Sequence, residues 1–160
     1  MVAAALVGLC MPAPALAVLE ITYSPDIVAT LGGQVIFDEQ PADDNLAGTV
    51  TAVGVGTIPA SADLVAYHRE PDGDQHLCFD TTVELGAGPL TVRPGDVVRF
   101  DGATYSLEFD ASANGVPRGV SVDALAVVAG DLVLSFDVTV ALSGETFHDE
   151  DLALFAGAAF

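Results

Sequence analysis

Short apolar runs split by turn residues recur along the chain from Asp26 to Phe155. Leu64-Val65-Ala66-Tyr67 and Leu132-Val133-Leu134 are examples; they are rich in Val, Leu, Phe and Tyr, alternate in part, and are too short for helices. Between them stand Gly32-Gly33, Pro71-Asp72-Gly73-Asp74, Asp101-Gly102 and Gly130-Asp131. These are turn residues, because proline presets φ and glycine accepts a positive φ. The pattern predicts hairpins and no amphipathic helix after the first residues. The expected fold class is all-β, with tandem antiparallel hairpins forming a partial propeller-like or sandwich architecture.

The hairpins repeat. Phe-Asp recurs at Phe37-Asp38, Phe79-Asp80, Phe109-Asp110 and Phe136-Asp137, each closing a stretch opened by an aspartate: Asp26, Asp63, Asp96, Asp123, and again Asp151. The stretch from Asp63 aligns with that from Asp123 if the first carries a three-residue insertion. Asp96 to Phe100 aligns with Asp151 to Phe155, and Asp26 to Asp38 reads as a shorter copy of Asp96 to Asp110. A three-residue loop over Pro71 to Gly73 sets His68 opposite His76, Tyr67 opposite Leu77 and Ala66 opposite Cys78. Val65, Tyr67, Leu77 and Phe79 then share a face, matched by Leu125, Val127, Leu134 and Phe136. The opposite face, with Ala126, Val128, Val133 and Ser135, is also mostly apolar, as in strands lying between layers.

Two hairpins in a period of 55 to 60 residues (Asp96 to Asp151, Asp63 to Asp123) are four strands, the content of a propeller blade. From Asp26 to the C-terminus the arrangement resembles the blade-like repeats of uncharacterised secreted bacterial β-propeller proteins. The resemblance implies one β-repeat domain over 18–160, about two and a half four-stranded units, and names no activity. Phe160 falls four residues before the next Phe-Asp that the repeat predicts. The readings left open are a fragment, closure as a sandwich, and closure through a partner chain, with self-association through an open sheet edge.

Residues 1–17 carry no charge and end in Ala15-Leu16-Ala17. This fits a cleaved secretory leader, although no Lys or Arg precedes the apolar run; a buried N-terminal element is the alternative. The expected location is secreted, periplasmic or cell-surface. Cleavage would remove Cys10 and leave Cys78 alone, so no internal disulfide would hold the domain. The apolar run is too short and proline-broken to span a membrane. Net charge is −19, from 23 acidic residues and four arginines, with no lysine. That field disfavours nucleic acid and leaves a protein or glycan as the expected partner.

Candidate chemistry is sparse. Asp72 and Asp74, and Asp149, Glu150 and Asp151, are the candidate Ca²⁺ ligands, since hard cations take carboxylate and carbonyl oxygens. The repeated aspartates otherwise read as turn caps accepting backbone N–H bonds. His68, His76 and Cys78 project from one hairpin face with zinc-ligand chemistry, but Val and Ser stand there in the related hairpin. No catalytic residues are assigned: there is no G-x-S-x-G elbow, and without lysine no S-x-x-K or P-loop. His148 beside Asp149 reads as a polar loop. Tryptophan is absent, and Tyr23, Tyr67 and Tyr105 only partly replace a stacking platform. The expected function is a non-enzymatic exported module for binding, scaffolding or surface display, with Gln40 to Gly48 and Gly86 to Gly95 as partner loops. The alternatives are a fragment of a propeller hydrolase or lyase, and a calcium-dependent adhesive or matrix protein.

Overall fold

The computed structural model describes residues 21–23, 28–37 and 39–157. The expected leader over 1–17, together with Asp26, Asp38 and Phe160, lies outside them. Every regular element among the described residues is a β-strand, and all pairings are antiparallel. The strands form small sheets, none closed into a barrel. Among the described residues no helix is long and apolar enough to cross a membrane.

The described residues fold as three successive units of related topology, the second with four sheet strands and the first and third with three. The first has β1 (Ile21–Tyr23), a ribbon of β2 (Ala29–Leu31) and β3 (Gln34–Ile36), then β4 (Ala42–Asp44) and β5 (Val50–Ala52), in sheet order β1-β4-β5. The second has β6 (Leu64–Arg69) and β7 (Gln75–Phe79), a ribbon of β8 (Val83–Leu85) and β9 (Leu90–Val92), then β10 (Val97–Phe100) and β11 (Tyr105–Phe109), in order β6-β7-β10-β11. The third has β12 (Val122–Val128) and β13 (Asp131–Phe136), a ribbon of β14 (Val140–Leu142) and β15 (Glu145–Phe147), then β16 (Ala153–Phe155), in order β12-β13-β16. Each unit is a meander with a two-stranded ribbon thrown out between its second and third strand positions. The segment around β2 and β3 is therefore the counterpart of the β8–β9 ribbon, not of β10–β11 as its sequence had suggested.

The paired register matches the reading of the β6–β7 hairpin: His68 faces His76, Tyr67 faces Leu77 and Ala66 faces Cys78. Glu70 N–H donates to the Asp74 carbonyl at 2.8 Å, which leaves Pro71 to Gly73 as the loop. A bulge between Leu64 and Ala66 changes one position. Leu64, not Val65, pairs with Phe79 and is buried, while Val65 is 39% exposed. The same bulge recurs between Val122 and Ala124. It makes Ser121, not Asp123, the counterpart of Asp63, and reduces the apparent three-residue insertion to one. The match of β10 with β16 holds residue by residue: Val98 and Ala153 pair with Leu77 and Leu134, and Phe100 and Phe155 pair with Gln75 and Leu132.

Alternation gives each sheet an inner and an outer face, and the units stack inner on outer. The inner face of the third unit (Leu125, Leu132, Leu134, Phe136, Phe155) shares one core with the outer face of the second (Ala66, Cys78, Val97, Phe109). Phe109 meets Phe155 edge-on, ring centroids 4.9 Å apart. The inner face of the second unit (Leu64, Leu77, Phe79, Val98, Phe100) packs on its own ribbon and on the 53–62 segment. β7, buried along its whole length, is the strand between layers. Each fully buried phenylalanine contributes about 2–3 kcal/mol through its removal from water. The joint between the first and second units carries an ion pair, Arg69 Nη1 to Asp43 Oδ2 at 2.7 Å; within the first unit Thr22 Oγ1 donates to the same carboxylate at 2.6 Å, and Gln75 Nε2 donates to the carbonyl of Gly54 in the connecting segment at 3.0 Å.

Candidate functional site

Three connections of the second unit meet at one end of its sheet: residues 56–59, the β8–β9 turn and the β10–β11 turn. They enclose a cleft of about 850 Å³. Its floor is the cross-strand pair Phe100 and Tyr105, ring centroids 4.7 Å apart, with Leu85 and Leu90 beside it. Tyr105 Oη donates to the Val55 carbonyl at 2.6 Å and so ties the incoming segment to the sheet. Burial raises the Tyr105 pKa, so the hydroxyl stays a neutral donor. Gly56 lies over it at φ +79°, and a Cβ there would overlap the hydroxyl. Gly86, Gly88 and Gly102 line the remaining walls with exposed backbone. Glu84 is the one charged side chain in the lining; Thr91 Oγ1 donates to its Oε1 at 2.6 Å.

This geometry suits a ligand held by apolar contact and backbone hydrogen bonds, with one carboxylate for a donor or a cation. Of the two loops expected to meet a partner, Gly86 to Gly95 is the β8–β9 turn followed by β9 with Val92 buried, and Gly86, Ala87, Gly88 and Leu90 of it line the cleft. Gln40 to Gly48 does not behave as a loop: it contains β4, with Pro41 and Ala42 buried.

Of the repeated aspartates, Asp80, Asp96, Asp110, Asp137 and Asp151 accept backbone N–H bonds as caps, whereas Asp123 accepts from Ser135 Oγ at 2.6 Å. Asp80 Oδ1 accepts from Asp63 N–H and Asp137 Oδ1 from Ser121 N–H, both at 2.9 Å, locking the open end of each first hairpin. Asp96 Oδ2 accepts from Arg93 N–H at 2.8 Å and Asp151 Oδ2 from His148 N–H at 2.9 Å, at matched positions before β10 and β16. Asp96 is buried, and its Oδ1 also takes Ala111 N–H at 2.9 Å.

The calcium candidates sit on two separate turns. Asp74 Oδ2 is taken by Arg99, whose Nε lies 2.6 Å away, and Asp72 Oδ1 accepts from Asp74 N–H at 3.2 Å. Asp149 and Glu150 are exposed, while Asp151 caps its turn. Among the described residues no group of three His, Cys, Asp or Glu side chains is placed to hold a metal ion.

His68, His76 and Cys78 do share the outer face. The imidazoles lie 6.2 Å apart, and Glu70 Oε1 lies 2.9 Å from His76 Nε2. Cys78 is fully buried in the core between units, and burial, then the Asp96 charge, push its pKa up, away from thiolate chemistry. Cys78 is therefore a packing residue. His148 is exposed, with Nδ1 3.4 Å from Thr139 Oγ1.

Fold and site together define an all-β protein of stacked hairpin units with an aromatic-floored cleft between turns. No protein-family model, curated protein or solved structure matches the chain.

Proposed function

We propose that the chain is an exported, non-enzymatic β-repeat domain that serves as a binding module, with the cleft over Phe100 and Tyr105 as its ligand site. The carrying observation is the make-up of that cleft. Turn backbone and an aromatic pair form its surface, Tyr105 Oη is committed to the Val55 carbonyl, and Glu84 is the one charge. Such a surface recognises shape, apolar area and hydrogen-bond pattern. A glycan or a short peptide segment with a basic side chain matches it. The leader-like residues 1–17 and the acidic balance support export and an extracellular partner.

A nuclear magnetic resonance titration tests this with two probe sets, neutral oligosaccharides and short lysine-containing peptides. Shifts concentrated in the amides of Gly56, Gly86, Gly88 and Gly102 support the reading. Binding that maps elsewhere, or hydrolysis of a probe, overturns it.

A further inference from the structure

Arg69 pairs with Asp43 and Arg99 with Asp74. The remaining two of the four arginines, Arg93 and Arg118, are exposed and line one cleft of about 360 Å³. It lies at the start of β10, the end opposite the cleft over Phe100 and Tyr105, where the turn at Arg93 to Gly95 meets the connection from β11 to β12. Gly95 allows the two to touch. A Cβ there would meet the Ala111 Cβ at 2.9 Å and the Val120 carbonyl oxygen at 3.1 Å.

Neither guanidinium has a carboxylate within ion-pair distance among the described residues. Arg93 Nη1 reaches only Ser112 Oγ, at 3.4 Å, and the Arg118 guanidinium makes no hydrogen bond among the described residues. The acidic groups at this end are engaged elsewhere. Asp96 accepts from Arg93 and Ala111 N–H, Asp80 from Asp63 N–H, and Asp110 from Ala113 N–H and Ser112 Oγ. The repeat-related turn of the third unit is built the other way. Asp151 caps His148 as Asp96 caps Arg93, so Asp149 and Glu150 stand where the second unit has Pro94 and Gly95. In a chain with 23 acidic residues, two guanidinium groups on one cleft without a carboxylate between them make a site for an external anion.

Pro94, Val116 and Pro117 give the same cleft an apolar wall. We propose that this cleft binds a singly charged organic carboxylate, its oxygens shared by Arg93 and Arg118 and its apolar body against Pro94, Val116 and Pro117. The guanidinium fork matches a planar carboxylate in geometry. The apolar wall offers nothing to the further oxygens of a phosphate or sulfate. The net charge of −19 also repels a multiply charged anion more strongly than a monoanion. This site is separate from the one over Phe100 and Tyr105 and stands or falls independently of it.

A nuclear magnetic resonance titration of the purified chain with benzoate, its neutral counterpart benzamide and inorganic phosphate, at a matched ionic strength of about 0.15 M, tests this. Benzoate shifts the amides of Gly95, Ser112 and Gly119 saturably, and benzamide and phosphate each bind about tenfold more weakly or worse. Arg93→Gln, which keeps the backbone N–H on Asp96, and Arg118→Gln each weaken benzoate about tenfold. Arg99→Gln, outside the cleft, leaves benzoate binding unchanged. If one variant fails to fold, the other and the benzamide comparison still decide. No saturable shift with benzoate, benzamide or phosphate as tight as benzoate, shifts confined to Gly56 and Gly102, or binding indifferent to the Arg93 and Arg118 variants overturns the proposal.

Discussion

Asp96 and Asp151 occupy the same place in the repeat, yet they carry different loads. Each accepts the N–H of the residue three before it. Only Asp96 is buried, and only Asp96 accepts a second amide, that of Ala111, at 2.9 Å. Asp96→Ala leaves two amides without acceptors, and one of them lies inside the protein. At about 1–3 kcal/mol for each group so stranded, the loss is roughly 3–5 kcal/mol. Asp96→Asn keeps one acceptor and turns an NH₂ toward the other amide, so about half is lost. Asp151→Ala strands one amide that water reaches, for about 1 kcal/mol. Thermal and urea unfolding, each in EDTA and in calcium at matched ionic strength, give the comparison. At about 2–4 °C per kcal/mol for a chain of this size, Asp96→Ala lowers the Tm by about 10 °C and Asp151→Ala by about 3 °C. Equal losses for the two alanine variants would refute the capping argument. Wild-type stabilisation by calcium that Asp151→Ala abolishes would return that carboxylate to the role of ligand.

Gly56→Ala forces Tyr105 off its carbonyl and strains a backbone at φ +79°; a loss of about 1–3 kcal/mol and a changed tyrosine emission, in a chain without tryptophan, check it. Cys78, tested in a Cys10→Ser background, stays unreactive toward a thiol reagent until the protein unfolds, and labelling in native buffer within minutes would contradict its placement. The His68 pKa is lowered, chiefly by burial and then by His76, with Glu70 opposing. Its neutral form therefore favours the fold above about pH 6.5, and that contribution is lost as the pH falls toward the folded value. His68→Gln flattens the stability profile between about pH 7 and 5, while a profile as steep as wild type assigns the slope to other groups.

Much of this was legible because hairpins are local. Turn residues and alternation over Leu64 to Phe79 set the His68–His76 register, and the match of Asp96 to Phe100 with Asp151 to Phe155 holds at every pair. What failed to show is what depends on one extra residue or on distant chain. The bulge after Leu64 moves Val65 out and Leu64 in, and it disguises Ser121 as an unrelated residue, because the eye aligns Asp63 with Asp123. The β2–β3 ribbon has the composition of a sheet hairpin; only the pairing of β1 with β4 around it shows that it leaves the sheet. The cleft was half visible. Gly86 to Gly95 reads as a loop, but residues 56–59 have no periodicity, and the bond from Tyr105 to Val55 spans 50 residues.

The same logic explains how the joints favour the right neighbours. The polar joint between the first and second units places Arg69 over Asp43, and a half-buried pair of this kind adds little stability while penalising a wrong neighbour. The apolar joint between the second and third units supplies the burial energy, through Phe109, Phe136 and Phe155. Had both joints been apolar, any inner face could cover any outer face. With one polar and one apolar joint, the third unit's inner face cannot sit on Thr22 and Asp43 without stranding the Asp43 carboxylate that Arg69 now satisfies. Short connections along the chain keep the units in sequence, and the charge at one joint and phenylalanine at the other favour these neighbours over mismatched ones.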